Sequence, residues 1–419
     1  MTAPRRAALT FIFVTVVLDM LALGVVIPVL PKLIEDFLGG DTAGAARVYG
    51  VFGTVWALMQ FLSMPVAGSL SDRFGRRPVI LASNFGLGLD YVLMALAPNL
   101  HWLFVGRVIS GITAASVSTA MAYVADVTVP EKRSAAFGMI GVAFGLGFVL
   151  GPALGGLLGH IDPRLPFWAA AGFSLANAAY GYFVLPESLP RERRRAFEWR
   201  RANPIGSLRL IRSHPELTGL AGVVFLSALA HVALPATFVL YAGYRYGWDA
   251  RTVGLTLAAV GVCSAIVQGL LVGPVARRYG ERRMLLFALT CGATGFLIYG
   301  LAPTGVLFLA AVPINALWGL GSPAAQSLMT RHIGPSEQGQ LQGANGSVNG
   351  IAMMIGPSLF ANTFAFFIGE GARLHVPGAA YLLASALLAS AALLAARVTA
   401  RPGRATGRTT DAARPVERS

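Results

Sequence analysis

Gly68-Ser69-Leu70-Ser71-Asp72-Arg73-Phe74-Gly75-Arg76-Arg77-Pro78 is a short polar knot wedged between two long apolar runs, and its reading decides the fold. Charge this close to hydrocarbon is costly unless it is paired or lies at the membrane surface. The knot is therefore expected to be a cytoplasmic turn between two membrane-spanning helices. A worn copy follows at Gly273-Pro274-Val275-Ala276-Arg277-Arg278-Tyr279-Gly280-Glu281-Arg282-Arg283: Gly68 and Gly75 recur as Gly273 and Gly280, an offset of 205 residues. The copy has Arg277 in place of Asp72 and Glu281 in place of Arg76, so a latch built on the Asp72 carboxylate exists only in the first half.

Composition agrees with the knot. Of 419 residues, 55% are hydrophobic and only 12% charged, about half the charge of an ordinary soluble chain. The formal net charge of +14 would suggest nucleic acid in a soluble protein. Here the basic residues cluster between apolar runs of spanning length, so they read as a topology signal and no nucleic-acid partner is expected. The two cysteines, Cys263 and Cys291, both sit in apolar runs and offer no disulfide framework or zinc spacing. The apolar run after Arg5 and Arg6 is too long for a signal peptide and reads as a retained first helix.

Cutting at charged or Pro/Gly-rich breaks gives an all-α polytopic membrane protein of twelve spans. Spans 1–6 fall near 7–30, 47–69, 79–97, 101–125, 134–159 and 165–186, and spans 7–12 near 216–241, 250–276, 284–302, 304–329, 339–367 and 378–397. The domain reading is an N-terminal six-helix bundle over 1–186, a basic cytoplasmic linker over 187–214, a C-terminal bundle over 215–398 and a disordered cytoplasmic tail over 399–419. The linker reads as a tether, with docking on anionic lipid as a second reading. Arg5, Arg6, Arg73, Arg76, Arg77, Lys132, Arg133, Arg277, Arg278, Arg282, Arg283 and Arg331 all fall on one side, which places both termini in the cytoplasm.

The 205-residue offset also maps Gly151-Pro152 onto Gly356-Pro357 and Leu96-Ala97-Pro98 onto Leu301-Ala302-Pro303. Two six-helix halves in one orientation are the parallel repeat of a large transporter class, with a midplane site between the halves and a rocking mechanism. Neither Lys32 nor Lys132 follows a phosphate-loop glycine pattern, and no H-E-x2-H occurs, so an ATP-driven pump or a metalloenzyme is not expected.

The titratable candidates are few. Span 1 carries Asp19, span 3 Asp90 and span 4 Arg107, with Asp126 at the cytoplasmic end of span 4. Two acids and an arginine in one apolar half form either a proton-responsive set or an ion pair that locks helices. In the second half His231, Gln268, Asn315, Asn345, Asn349 and Asn362 are the polar residues, and no membrane-buried acid is apparent. His231 reads equally as a titrating group or a packing histidine, and the amides as cavity ligands or interhelical glue. Span 5 reads Gly141-x3-Gly145-x-Gly147-x3-Gly151-Pro152-x2-Gly155-Gly156, a small-residue face with a proline that can kink it.

The knot resembles the G-x-L-x-D-R-x-G-R-R loop signature of the major facilitator superfamily, and Gly147, Gly151, Pro152, Gly155 and Gly156 resemble the span 5 signature of its antiporters. The resemblance narrows to the twelve-helix bacterial tetracycline/proton antiporters, on L-D-M-L-A-L-G-V-V-I-P-V-L-P with Asp19, G-L-G-L-D-Y with Asp90, R-V-I-S-G-I-T with Arg107 and A-Y-V-A-D-V-T with Asp126. It implies a gating latch of Gly68, Asp72, Arg73, Gly75, Arg76, Arg77 and Asp126, and a polar cavity holding Asp19, Asp90 and Arg107, with His231, Gln268 and Asn315 as second-half candidates. Ser264 and Gly292 stand where that family has a histidine on span 8 and an aspartate on span 9.

The expected function is proton-coupled export of an amphipathic drug across the bacterial cytoplasmic membrane, with a tetracycline, carried as such or as its divalent-metal chelate, as the substrate implied. No cofactor or resident metal is expected, and the partners are drug, protons and lipid around a monomer. Two alternatives stay open. One is an exporter of a different metabolite or of several drugs that does not handle tetracycline, and the other is a nutrient symporter, since fold and loop signature do not set direction.

Overall fold

The computed structural model describes residues 3–114, 116–129, 132–194, 209–334 and 337–400. The stretches expected to form the middle of the linker and nearly all of the tail lie outside these residues. Among the described residues all regular structure is helical. Ten stretches are long and apolar enough to cross a membrane. One of them, Ala250–Leu301, runs for 52 residues and turns at Gly280, whose φ of 73° no helix contains, so it is spans 8 and 9 in succession. The helix Leu165–Val184 is span 6, less apolar because it carries Ser174, Asn177 and Tyr180. That makes twelve crossings, the number read from the sequence.

The crossings are spans 1 (Leu9–Phe37), 2 (Thr42–Phe74), 3 (Arg76–Leu96), 4 (Leu100–Val127), 5 (Ala136–Ile161), 7 (Leu217–Tyr246), 10 (Gly305–Thr330), 11 (Gln338–Ile368) and 12 (Ala379–Ala400), besides 6, 8 and 9. Two ends differ from expectation. Span 1 was expected to stop near residue 30; it breaks after Val26 and resumes as Leu30–Phe37, because Pro28 and Pro31 remove two backbone donors. Span 7 likewise breaks at Val232 and continues to Tyr246, where Gly247 in the left-handed region ends it.

The repeat is visible in backbone detail. Gly75 and Gly280 both have positive φ, 107° and 73°, conformations that a side chain would strain. Asn99 caps span 4 through its side chain, accepting from His101 and Trp102 backbone N–H groups; its repeat mate Thr304 caps span 10, accepting from Leu307. Span 4 is interrupted at Ala114 and span 10 by a 3-10 turn over Leu317–Leu320, again at matching positions. Local sequence therefore dictates the same chain path twice.

The halves meet through two antiparallel seams. In one, Gly50 and Gly53 of span 2 pack on Pro357, Ser358 and Ala361 of span 11, and Thr54 Oγ1 hydrogen-bonds Ser358 Oγ at 2.8 Å. In the other, Gly156 of span 5 packs on Ala250 and Gly254 of span 8, and Gly261 packs on Val149. Both seams lie toward the end opposite the arginine-rich knot. At the arginine-rich end Gly68, Gly138, Gly141, Gly145, Gly269, Gly339 and Gly346 all face open space. The halves thus touch at one end and part at the other. Gly68 of the latch has no atom within 4 Å of where a Cβ would stand.

At the closed end Arg164 donates from Nη1 to the Ala95 carbonyl (2.9 Å) and from Nη2 to the Ala97 carbonyl (3.0 Å), satisfying the final carbonyls of span 3. Arg164→Ala is expected to lower stability by about 1–3 kcal/mol, the cost of leaving such groups unpaired. A thermal melt in detergent checks it; an unchanged midpoint would show that water takes over both carbonyls.

Candidate functional site

Two polar sets emerge, one in each half. In the first, Asp90 is 1% exposed and neither carboxylate oxygen has a hydrogen-bond partner. Span 3 begins at Arg76 and ends at Leu96, so Asp90 lies about 9 Å of helical rise from the closed end. Gly106 places the start of span 4 against it: a Cβ there would stand 3.1 Å from Asp90 Oδ1. The next residue, Arg107, is 9% exposed, and its guanidinium lies over the Trp56 ring at 5.4 Å from the centroid. No ion pair within 4.0 Å joins it to Asp90 among the described residues, yet the two interact electrostatically.

Asp19 is 5% exposed and accepts a 2.8 Å hydrogen bond from Asn177 Nδ2, which also donates to the Thr15 carbonyl at 2.9 Å. Tyr91, fully buried beside Asp90, feels the charges of Asp19, Asp90 and Arg107 together. Asp90 and Arg107 thus stand close in the first half, and the charge of Asp19 reaches the same tyrosine. Asn177 and Trp56 were not among the residues expected at the site; a lone asparagine in the apolar run of span 6 was the signal for the first.

The second-half candidates are not brought to that cluster. His231 ends the first segment of span 7, is exposed, and packs on Trp318 with ring centroids 5.5 Å apart; Trp318 Nε1 in turn donates to Ser227 Oγ at 3.1 Å. Gln268 sits in a π-helical turn of span 8, Val267–Leu271, a distortion that often marks functional positions. It lines an open cavity of about 440 Å³ with Ser322, Pro323, Gln326 and Gln342. Asn345 Nδ2 donates to Gln326 Oε1 at 2.7 Å. Asn315 is placed otherwise: it packs against Gly295 of span 9, and its Nδ2 is buried without a partner. Gly292, one turn along, packs on Trp318 and Leu388 so closely that a Cβ would stand 2.8 Å from each. No acid fits there while Trp318 keeps its place.

The latch residues form a network within the first half. Arg76 is its hub: Nη1 meets Asp72 Oδ1 at 2.6 Å and Nε meets Asp126 Oδ2 at 3.1 Å, while Nη1 also donates to Ser71 Oγ at 2.5 Å. Asp72, near the end of span 2, pairs across the Gly75 turn with Arg76, the first residue of span 3, and among the described residues makes no ion pair with the other half. Glu187, unnoticed in the sequence, accepts from the backbone N–H groups of Arg76, Ser188 and Leu189, pinning the end of span 6 to the N-terminus of span 3. Arg77 donates to the Tyr182 carbonyl and Arg73 lies over Phe74.

The span 5 glycines divide by face. Gly147, Gly151 and Gly155 meet Met20, Gly24 and Val25 of span 1, whereas Gly156 and the Pro152 carbonyl meet Gly254 of span 8 in the other half. One helix therefore binds both its own bundle and the partner bundle through backbone contact. Nearby His160 Nδ1 lies 3.1 Å from Asp249 Oδ2, linking the halves at the closed end. Hydrogen bonds from Thr252 hold the Asp249 carboxyl below the usual carboxylate range.

The family model of the Major Facilitator Superfamily matches residues 12–357. The chain belongs to the major facilitator superfamily. Its members are membrane transporters, and this one is a multi-pass transporter and not an enzyme. Among curated proteins it is 38% identical to the class C tetracycline resistance protein of Escherichia coli over 358 residues, 85% of this chain and 90% of that protein. It is 35% identical to the class G tetracycline resistance protein of Vibrio anguillarum over 367 residues, 87% of this chain and 92% of that one. Among solved structures, the human organic anion transporter MFSD10 (TETRAN) is 26% identical with a TM-score of 0.69, covering 94% of this chain and all of that one. A bacterial homolog of the human lysosomal transporter Spinster, in its inward-facing and occupied conformation, shares the superfamily fold at a TM-score of 0.76 and 15% identity, covering 96% of this chain and 98% of its own.

Proposed function

We propose that this transporter is a proton-coupled antiporter that exports a tetracycline-like amphipathic drug by alternating access. One observation carries the reading: a chain 38% identical to a tetracycline resistance protein keeps an acid, Asp90, buried with no hydrogen-bond partner beside Arg107. An intramembrane carboxyl without a fixed partner is costly and is retained where it exchanges protons or binds cargo. With the arginine-rich end taken as cytoplasmic, the gap there receives drug from the cytoplasm while the seams of spans 2/11 and 5/8 hold the outer end shut. Rocking about those seams would reverse the two.

The Gln268, Ser322, Gln326 and Gln342 cavity supplies neutral donors and acceptors suited to a polyoxygenated cargo, free or as its divalent-metal chelate, and the acids of the other half supply the charge response. No cofactor enters the cycle; the proton gradient of the bacterial inner membrane drives it, with lipid around a monomer. In everted vesicles, tetracycline uptake is expected to follow an imposed pH gradient and to collapse when the gradient is discharged. Gradient-independent uptake would refute the coupling.

A second reading rests on Ser264 and Gly292, which stand where the resembled antiporters have a histidine on span 8 and an aspartate on span 9: an exporter of a different cargo. In an efflux-deficient host, tetracycline sensitivity unchanged by expression, with resistance to another compound, would favour it.

A further inference from the structure

The first bundle encloses a line of polar atoms that the acids and the arginine of the proposed site do not account for. Asn84 of span 3 is 1% exposed, and neither its Oδ1 nor its Nδ2 has a hydrogen-bond partner. Thr15 Oγ1, Ser174 Oγ and Asn177 Oδ1 are buried and unpartnered as well. Backbone contacts fix how these residues stand to one another. A Cβ on Gly88 of span 3 would meet Leu175 of span 6 at 2.6 Å, and one on Gly181 of span 6 would meet Leu81 of span 3 at 2.8 Å. Spans 3 and 6 are therefore antiparallel, with Leu81 opposite Gly181 and Gly88 opposite Leu175. Asn84 shares a helical stripe with Leu81 and Gly88, one turn after the first and one turn before the second. That register sets it within about 3 Å of helical rise of Asn177.

The line continues toward Asp90. Asn177 Nδ2 bonds Asp19 and the Thr15 carbonyl of span 1. One turn nearer the closed end, on the same buried stripe of span 6, is Ser174. The register of spans 3 and 6 sets Ser174 within about 3 Å of helical rise of Asp90. Unpartnered polar atoms thus recur at every turn between the level of Asp19 and that of Asp90.

Two ordinary explanations fail. Interhelical glue consists of polar groups that bond one another, and these atoms have no partner among the described residues. The chain path does not require them either, because the second half repeats it with apolar residues. Under the 205-residue offset Leu220, Val224, Leu289 and Gly295 stand for Thr15, Asp19, Asn84 and Asp90, and Leu220 and Leu289 are as deeply buried as Asn84. A carboxamide shut in an apolar bundle without a protein partner is satisfied by water, which itself needs several polar neighbours. We infer that Asn84 and Ser174, with Asn177, are positioning residues that hold a file of water between Asp19 and Asp90, through which a proton passes from one carboxyl to the other. A proton enters the file from one carboxylic acid as another leaves it for the second carboxylate, so the net charge of the bundle is unchanged. The amides and the hydroxyl orient the water and neither gain nor lose a proton. This rests on the proton-coupled reading above, and it makes the two acids one relay inside a single bundle.

The test uses the full-length protein in proteoliposomes, with radiolabelled tetracycline as the probe, in two modes. Uptake driven by an imposed pH gradient requires the carrier to load and unload protons. Exchange of labelled for unlabelled tetracycline at equal pH does not, because the drug-loaded carrier merely shuttles. Asn84→Leu installs the residue found at the matching position of the second half, so its melting midpoint is expected at or above the wild-type value. Its gradient-driven uptake is expected to fall about tenfold or more, while its exchange keeps the wild-type rate. Ser174→Ala, which removes one oxygen and no packing carbon, is expected to show the same split. Asn84→Ser, which keeps a donor and an acceptor and leaves room for water, is expected to restore gradient-driven uptake. Wild-type gradient-driven uptake by Asn84→Leu or by Ser174→Ala overturns the relay. So does a proportional loss of both modes, which would make these packing residues. A wild type without gradient-driven uptake overturns proton coupling itself, and the relay with it.

Discussion

Asp90→Asn is expected to abolish gradient-driven transport while leaving the protein folded. The substitution preserves shape in a site where the carboxylate has no hydrogen bond to lose, so the helices of the first bundle keep their packing. What disappears is the carboxyl beside Arg107 to which the proposed cycle assigns the proton. Loss of a group that carries a proton in one step lowers the rate by about two orders of magnitude or more, and uptake into everted vesicles under an imposed pH gradient measures it. Melting midpoints at or above the wild-type value are expected, since a buried charge is removed. Full transport by this variant would make Asp90 a structural acid and move proton coupling to Asp19, whose bond to Asn177 holds it in place.

The second large effect separates the two faces of span 5. At Gly155 a Cβ would stand 2.0 Å from the Val25 carbonyl oxygen, inside the first bundle. Gly155→Val therefore forces two backbones apart in every conformation, at a cost above about 3 kcal/mol, and the expected result is loss of folded protein on size-exclusion chromatography. At Gly156 a Cβ would stand 2.5 Å from the Ala250 carbonyl oxygen and 2.9 Å from Gly254 Cα, across the seam between halves. Gly156→Val is expected to yield folded protein that cannot close that end: transport is lost, and a cysteine reporter in the seam becomes reactive. Equal misfolding of both variants would show that the seam is as obligatory as the bundle.

Much of this was legible in the residues. The twelve crossings and the repeated chain path follow from apolar run lengths and the 205-residue offset. The missed features have physical causes. Spans 1 and 7 run on past residues 30 and 241, where the apolar runs were read to stop, to Phe37 and Tyr246, because tertiary packing recruits the following turns. Asn315 and Gln268 look alike in sequence, yet one meets Gly295 of span 9 and the other a cavity, since the π turn at Val267–Leu271 re-aims the helix face.

The seams of spans 2/11 and 5/8 are built largely from glycine, proline and carbonyl groups meeting backbone to backbone. Their strength is therefore set by main-chain shape and hardly at all by the identity of nearby side chains. In the proposed export cycle cargo recognition falls to side chains such as Gln268 and Gln326, which take no part in the seams. On that reading selectivity and the timing of the cycle are written in separate alphabets, so residues lining the cavity can be exchanged for a new compound without resetting the moving parts.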